Sequence, residues 1–193
     1  MRALASKGAK VIVPVRSEAK AKEALADLSG DITTVPMDLA DLASVRQFAA
    51  AMQETLPQLD LLINNAGVMA SPETRVGPGW ESQFGICHMG HLALAQGLFS
   101  VLEKTPEARV VALSSTAHKI SDILWDDINF ETTPYEKWRA YGQAKTANAL
   151  FANALSRSMQ SLGGLAFSVH PGGFFTTLQR HLPKEEMIAM GWL

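Results

Sequence analysis

Short apolar runs alternate with longer stretches whose apolar residues recur at helical spacing, and this alternation continues from end to end of the 193-residue chain. Val11-Ile12-Val13-Pro14-Val15 reads as a buried strand, its end weakened by Pro14. Ser17 to Leu28 reads as a helix capped by Ser17, with Glu18 in the first turn. Ile32 to Pro36 is a second strand. Asp41 to Leu56 is a helix with Leu42, Val45, Phe48, Ala49 and Met52 near one face. Leu59 to Ile63 is a third strand, and one long helix is predicted over Trp80 to Lys104. Val110 to Leu113 is a fourth strand, followed by an irregular insertion from His118 to Trp138. A helix from about Tyr135 to Leu162 and a fifth strand, Leu165 to Val169, complete the series. Such alternation predicts right-handed crossovers and a parallel sheet covered on both faces. Ligands of such sheets sit beyond the carboxyl ends of the strands.

Composition narrows the function classes. Hydrophobic residues make up 47% of the chain, enough for one core, while charged residues make up only 19%, which favours a homo-oligomer. A formal net charge of -2 gives no basic footprint for nucleic acid. The single cysteine, Cys87, excludes an internal disulfide framework and a multi-cysteine zinc site. No apolar run approaches the roughly 20 residues that span a bilayer, and the expected location is cytoplasmic.

Four groups of polar residues and glycines stand where strand units end. Tyr141-Gly142-Gln143-Ala144-Lys145 places a phenol and an ammonium four residues apart on one helix face. A cation there favours phenolate and lets the tyrosine exchange protons with an alcohol or carbonyl oxygen. Ser114-Ser115 offers hydroxyls that can bond a substrate oxygen. Asn64-Asn65-Ala66-Gly67 suits a tight turn against a flat ligand, and Pro171-Gly172-Gly173 lets the backbone approach a ligand closely. Taken singly, each reads equally well as a solvated helix pair or an ordinary turn.

Their order is more specific than any one of them. Asn-Asn-Ala-Gly, Ser-Ser, Tyr-x-x-x-Lys and Pro-Gly on successive strand units resemble the short-chain dehydrogenase/reductase family over nearly the whole chain. The retinol-dehydrogenase-like and bacterial reductase group is most similar, through Asn64 to Met69, Phe84-Gly85, His88 to His91, Ser114 to His118, Tyr141 to Phe151 and His170 to Gly173. The resemblance implies one doubly wound, Rossmann-like α/β domain over residues 1–193 and an NADP-dependent alcohol/carbonyl oxidoreductase, NAD being the lesser expectation. It implies Tyr141 as general acid/base, Lys145 as its tuner and ribose ligand, and Ser115 as the substrate-polarising hydroxyl. Asp38, Leu39, Asn65, Ala66 and Gly67 are implied on the adenosine side, and Pro171, Gly172 and Thr177 at the nicotinamide end. Arg16 stands where related enzymes put a base for a 2'-phosphate. No metal is implied. The substrate is a small alcohol or carbonyl compound, and Trp125, Phe130 and Trp138 in the insertion point to an apolar one.

Departures from the family pattern set further expectations. Cys87-His88-Met89-Gly90-His91 stands where relatives read Asn-His-Leu-Gly-His, and the family's asparagine helps hold a water in the proton relay to the lysine. A thiol is a poor donor and acceptor, so the relay is expected to suffer. The family's Thr-Gly-x-x-x-Gly-x-Gly loop does not occur, and Arg2 to Lys7 look like the tail of the helix that follows it. The expectation is a sheet truncated at both ends, lacking its first and last strands. In the family order 3-2-1-4-5-6-7, that leaves Val11–Val15 and Leu59–Ile63 without their shared partner, about 10 Å apart or re-paired directly. Two other functions stay open: a catalytically inactive fragment or pseudoenzyme, and an epimerase or dehydratase using the same tyrosine and lysine.

Overall fold

The computed structural model describes residues 1–193. A short helix, α1 (Arg2–Ala5), leads into β1 (Val11–Val15), α2 (Glu18–Leu25), β2 (Ile32–Pro36), α3 (Leu42–Thr55) and β3 (Leu61–Asn64). The helix starts follow their caps. Ser17 Oγ accepts the Lys20 amide, and the Asp41 carboxylate accepts the Ala43 amide at 2.8 Å, satisfying donors that the first turn cannot. Val45, Phe48, Ala49 and Met52 are buried, while Leu42 stays half-buried at the end of that stripe.

The long helix expected over Trp80 to Lys104 is interrupted. A hairpin of β4 (Arg75–Val76) and β5 (Trp80–Glu81) opens it, and Glu81 caps α4 (Ser82–Phe84) through the amides of Gln83 and Phe84. A π-helical turn, Gly85–Met89, then leads to α5 (Gly90–Gly97), and α6 (Phe99–Lys104) restarts after Leu98. Glycine is required at the junction. A Cβ on Gly90 would stand 2.5 Å from the Leu39 carbonyl oxygen, closer than any van der Waals contact allows. The chain closes with β6 (Arg109–Leu113), α7 (Lys137–Gln160), β7 (Leu165–Val169) and α8 (Lys184–Ala189), with 3₁₀ turns at Thr116–Lys119 and Thr177–His181. No helix is long and apolar enough to cross a membrane.

Apart from the antiparallel β4–β5 hairpin, the strands are parallel, but they form two sheets, β1–β2 and β3–β6–β7. β1 and β3 do not pair, as expected for neighbours that lack a shared partner. Nor is the second sheet covered on both faces. The row Leu62–Val110–Ala166 is buried against the layer of α3, α5 and α7. The row Ile63–Val111–Phe167 lies on the opposite face, where Ile63 and Phe167 are each 44% exposed. No helix follows β3, β6 or β7 onto that face, which accounts for the difference from the two-sided reading.

Parity along the strands identifies the unpaired edge groups. Val11 donates its amide to Asp31 and Val15 accepts from Met37, so the odd-numbered residues of β1 bond toward β2. Arg109 donates to Asp60, so the even-numbered residues of β3 bond toward β6. Successive amides of a strand point to opposite edges, which directs the amides of Ile12 and Ile63 into the break. In hydrogen exchange followed by NMR, those two amides should exchange far faster than those of Val13 and Leu62. Equal protection would mean that the break is closed in solution.

Candidate active site

The carboxyl end of β6 and the first half of α7 are cross-tied by three hydrogen bonds. Lys145 Nζ donates to the Leu113 carbonyl at 2.9 Å, and Asn148 Nδ2 donates to the same oxygen at 3.0 Å. In return, Ser114 Oγ donates to the Lys145 carbonyl at 2.8 Å. Ser114 is therefore structural, and Ser115 is left as the free hydroxyl at the strand end, with its Oγ accepting the Ala117 amide at 3.2 Å. The Ser115 side chain also faces the Tyr141 phenol and lowers its pKa. Ser115, Tyr141 and Lys145 are thus brought together by the end of β6 and one face of α7.

The electrostatics differ from the simple tyrosine–lysine reading. Lys145 Nζ lies 5.3 Å from the Tyr141 ring centroid, with its head group engaged by the Leu113 carbonyl rather than by the phenol. Tyr141 is 4% exposed, and burial holds its pKa well above the ordinary tyrosine value, with Ser115 pulling the other way. The buried phenol therefore stays protonated. Desolvation outweighs the Ser115 hydrogen bond because burial strips water from a charged phenolate.

Cys87 is fully buried behind the Asn64–Gly67 turn. Its Sγ donates to the Val68 carbonyl at 3.3 Å and accepts the Val68 amide at 3.4 Å. The thiol thus bonds the N–H and the C=O of one residue, weak as each bond is. A Cβ on Gly67 would stand 3.2 Å from that sulfur, so the turn and the π-helical segment pack in direct contact. Burial pushes the Cys87 thiol up, keeping it protonated and able to donate. His88 Nδ1 pairs with Asn148 Oδ1 at 3.1 Å, and His91 Nδ1 with the Cys87 carbonyl at 3.0 Å.

The residues expected on the adenosine side mostly converge. A cavity of about 210 Å³ lies across the break between the two sheets, lined by Arg16, Asp38, Leu39, Ala66 and Gly67 among others. Asn65 is exposed and does not line it; the buried neighbour Asn64 does. Asn64 is 2% exposed, and neither its Oδ1 nor its Nδ2 has a partner within the chain. A buried amide with both halves unpaired is costly, and it suits a polar ligand in this cavity. Pro171, Gly172 and Thr177 are exposed and belong to neither this cavity nor the Tyr141 cluster. Of the aromatic residues in the insertion, only Trp138 approaches Tyr141, ring to ring at 6.3 Å. Trp125 is 70% exposed, and Phe130 is buried against Tyr135.

Comparison with known proteins shows the family. A family model described as short chain dehydrogenase matches residues 1–187. A probable oxidoreductase of Streptomyces lividans is 40% identical over 99% of this chain and 65% of its own length. Human retinol dehydrogenase 13 is 39% identical over 92% of this chain and 55% of its own length. Among solved structures, an uncharacterised Mycobacterium paratuberculosis protein matches with a TM-score of 0.80 at 39% identity, over 93% of this chain and 65% of that one. The Pseudomonas aeruginosa RhlG/NADP active-site complex matches with a TM-score of 0.75 at 26% identity, over 98% and 73%. The chain belongs to the short-chain dehydrogenase family, an oxidoreductase family of Rossmann fold that binds NAD(P). It spans 55% to 65% of the length of these curated relatives.

The residues present fit a dinucleotide: the unpaired Asn64 amide and the Arg16 and Asp38 side chains offer polar partners in the cavity, and Ser115, Tyr141 and Lys145 stand together at the end of β6. None of the 193 residues forms the glycine loop that binds pyrophosphate at a helix N-terminus.

His91 supplies a pH prediction. It is 4% exposed and lines the cavity, and burial pushes its pKa down from 6.5 to about 4. A depressed folded-state pKa means that the unfolded chain takes up the proton first. This contribution to stability is complete above pH 6.5 and declines as the pH falls to about 4, by about 3 kcal/mol. Urea unfolding at pH 7.5 and pH 4.5 should show that loss, and His91→Gln should lack much of it. An equal loss in both proteins would show that His91 is not the group responsible.

Proposed function

We propose that the protein transfers hydride between NADP(H) and an alcohol or carbonyl substrate, with Tyr141 as the proton donor to the substrate oxygen. The observation that carries this reading is the convergence of Ser115 and Tyr141 beside a lysine fixed to the Leu113 carbonyl. Ser115 orients the substrate oxygen, and Tyr141 gives up its proton as negative charge develops there. Lys145 holds a positive charge beside the phenol ring, and Asn148 fixes the carbonyl that both side chains bind. A bound nicotinamide supplies the hydride. In the direction of oxidation the same groups act in reverse: Tyr141 recovers the proton from the alcohol.

Arg16 supports NADP over NAD. It is exposed at the end of β1 and borders two cavities, one shared with Asp38 and Leu39 and one with Ser17, Lys20 and Asp38. A guanidinium there suits a 2'-phosphate through charge-assisted bonds. The apolar surroundings of Tyr141, formed by Met69, Ala70, Trp138 and Leu182, support an apolar substrate. The lone buried thiol suits a reducing compartment, and we place the protein in the cytoplasm.

Two substitutions test this reading by the loss of NADPH absorbance with an apolar ketone. Tyr141→Phe keeps the ring and removes the proton, and should lower kcat/KM by roughly 100-fold or more; a near-normal rate sinks the assignment. Arg16→Ala should cut the preference for NADPH over NADH by about tenfold, the scale of one charge-assisted bond. An enzyme that prefers NADH from the outset contradicts the Arg16 role.

A further inference from the structure

The Tyr141 side chain, which must meet a substrate, is 4% exposed. Tyr141 shares one apolar cluster with Met69, Ala70, Ala117 and Leu182, against which Trp138, Leu178 and Met187 also pack. Besides Ala117 in the turn after Ser115, three parts of the chain make this cluster, and two of them are fixed. Trp138 is part of α7, the longest helix. Met69 and Ala70 adjoin Ser71, whose carbonyl accepts the Tyr135 hydroxyl at 3.0 Å, and Gln83 Nε2 ties that hydroxyl to the Lys137 carbonyl at 2.9 and 2.8 Å. The third part, residues 177 to 192, joins no sheet, and Leu182 is its one buried residue.

One side chain accounts for most of the polar attachment of that segment. The Glu186 carboxylate accepts Lys137 Nζ on Oε2 at 2.5 Å and Trp138 Nε1 on Oε1 at 2.9 Å. Both donors stand at the start of α7, one turn before Tyr141. Trp192 completes the contact, its ring edge-on to Trp138 at 6.2 Å. Lys137 holds Glu186 below the usual carboxylate range.

We infer that Glu186 is a positioning residue that latches the 177–192 segment over Tyr141 and so builds the apolar wall of the substrate site. This rests on the hydride-transfer reading of Tyr141 and extends it to substrate class. An apolar ketone or secondary alcohol gains from the wall formed by Leu178, Leu182, Met187 and Trp138, whereas a small polyhydroxylated carbonyl compound loses hydration there. Because the segment packs against Tyr141, a substrate that binds there shifts it around the latch.

Incorporation of 5-fluorotryptophan labels the four tryptophans for ¹⁹F NMR, a readout independent of turnover. On titration with 2-decanone, the resonances of Trp138 and Trp192 should shift while those of Trp80 and Trp125 stay in place. Dihydroxyacetone should move none of them. Glu186→Ala should bring the Trp192 resonance toward that of a solvent-exposed indole and weaken 2-decanone binding by roughly tenfold, the scale of a lost charge-assisted contact. Glu186→Gln keeps an acceptor for the Trp138 indole and should fall between the two. Unchanged Trp80 and Trp125 signals report an intact fold in each variant. Tyr141→Phe should still bind 2-decanone, so failure of the catalytic reading and failure of the latch are separate results. If 2-decanone leaves Trp138 and Trp192 unmoved in the unsubstituted protein, or if Glu186→Ala binds it normally, the latch is overturned.

Discussion

The Leu113 carbonyl is the point on which the site depends. It ends β6, and it accepts both Lys145 and Asn148 from α7. A carbonyl oxygen has two lone pairs, and both are used here to hold one helix at one rotation and one height against the strand. Ser114 closes the loop by bonding the Lys145 carbonyl from the strand side. Once these three bonds form, the rest follows by helical geometry. Tyr141, one turn before Lys145, lies over Ser115, and Asn148, almost one turn after it, reaches His88 in the π-helical segment. That segment in turn carries Cys87 to the Asn64–Gly67 turn.

Buried polar groups are tolerated in this region because nearly all are paired, and the exceptions are informative. The Cys87 thiol makes both its bonds to the backbone of one residue, Val68. The departure from the family's asparagine therefore costs less than the chemistry of an isolated thiol suggests, since the contacts that join turn and helix are kept. Asn64 is the opposite case, with an amide fully buried and wholly unpaired. It lies in the break between β1 and β3, where two half-sheets face each other across the cavity that Arg16, Asp38 and Gly67 share.

Two strands were legible residue by residue, because Val11–Val15 and Leu165–Val169 are bounded by turn-forming or helix-capping residues. The helix over Trp80 to Lys104 was not. Its apolar residues are dense enough to suit any period, and the Gly77-Pro78-Gly79 turn that makes the hairpin lies just outside the run. Tyr141 and Lys145 were legible from their spacing of four. Asn148, three residues further on the same face, carried the same signal and was missed. Asn64 could have been separated from Asn65 by strand alternation, since β3 buries its even positions. Glu186 left no local trace: its partners lie 48 and 49 positions earlier, and only the folded chain places them together.

The central claim is that hydride moves between a nicotinamide and a carbonyl carbon at Tyr141. It is tested most directly by following the label. The protein is incubated with 2-decanone and NADPH deuterated at both C4 positions, and the alcohol is analysed by mass spectrometry and ²H NMR. The expected product is 2-decanol with a single deuterium on its carbinol carbon, formed at a rate that depends on the Tyr141 hydroxyl. Unlabelled alcohol, or none at all from a folded protein that binds both compounds, would contradict it.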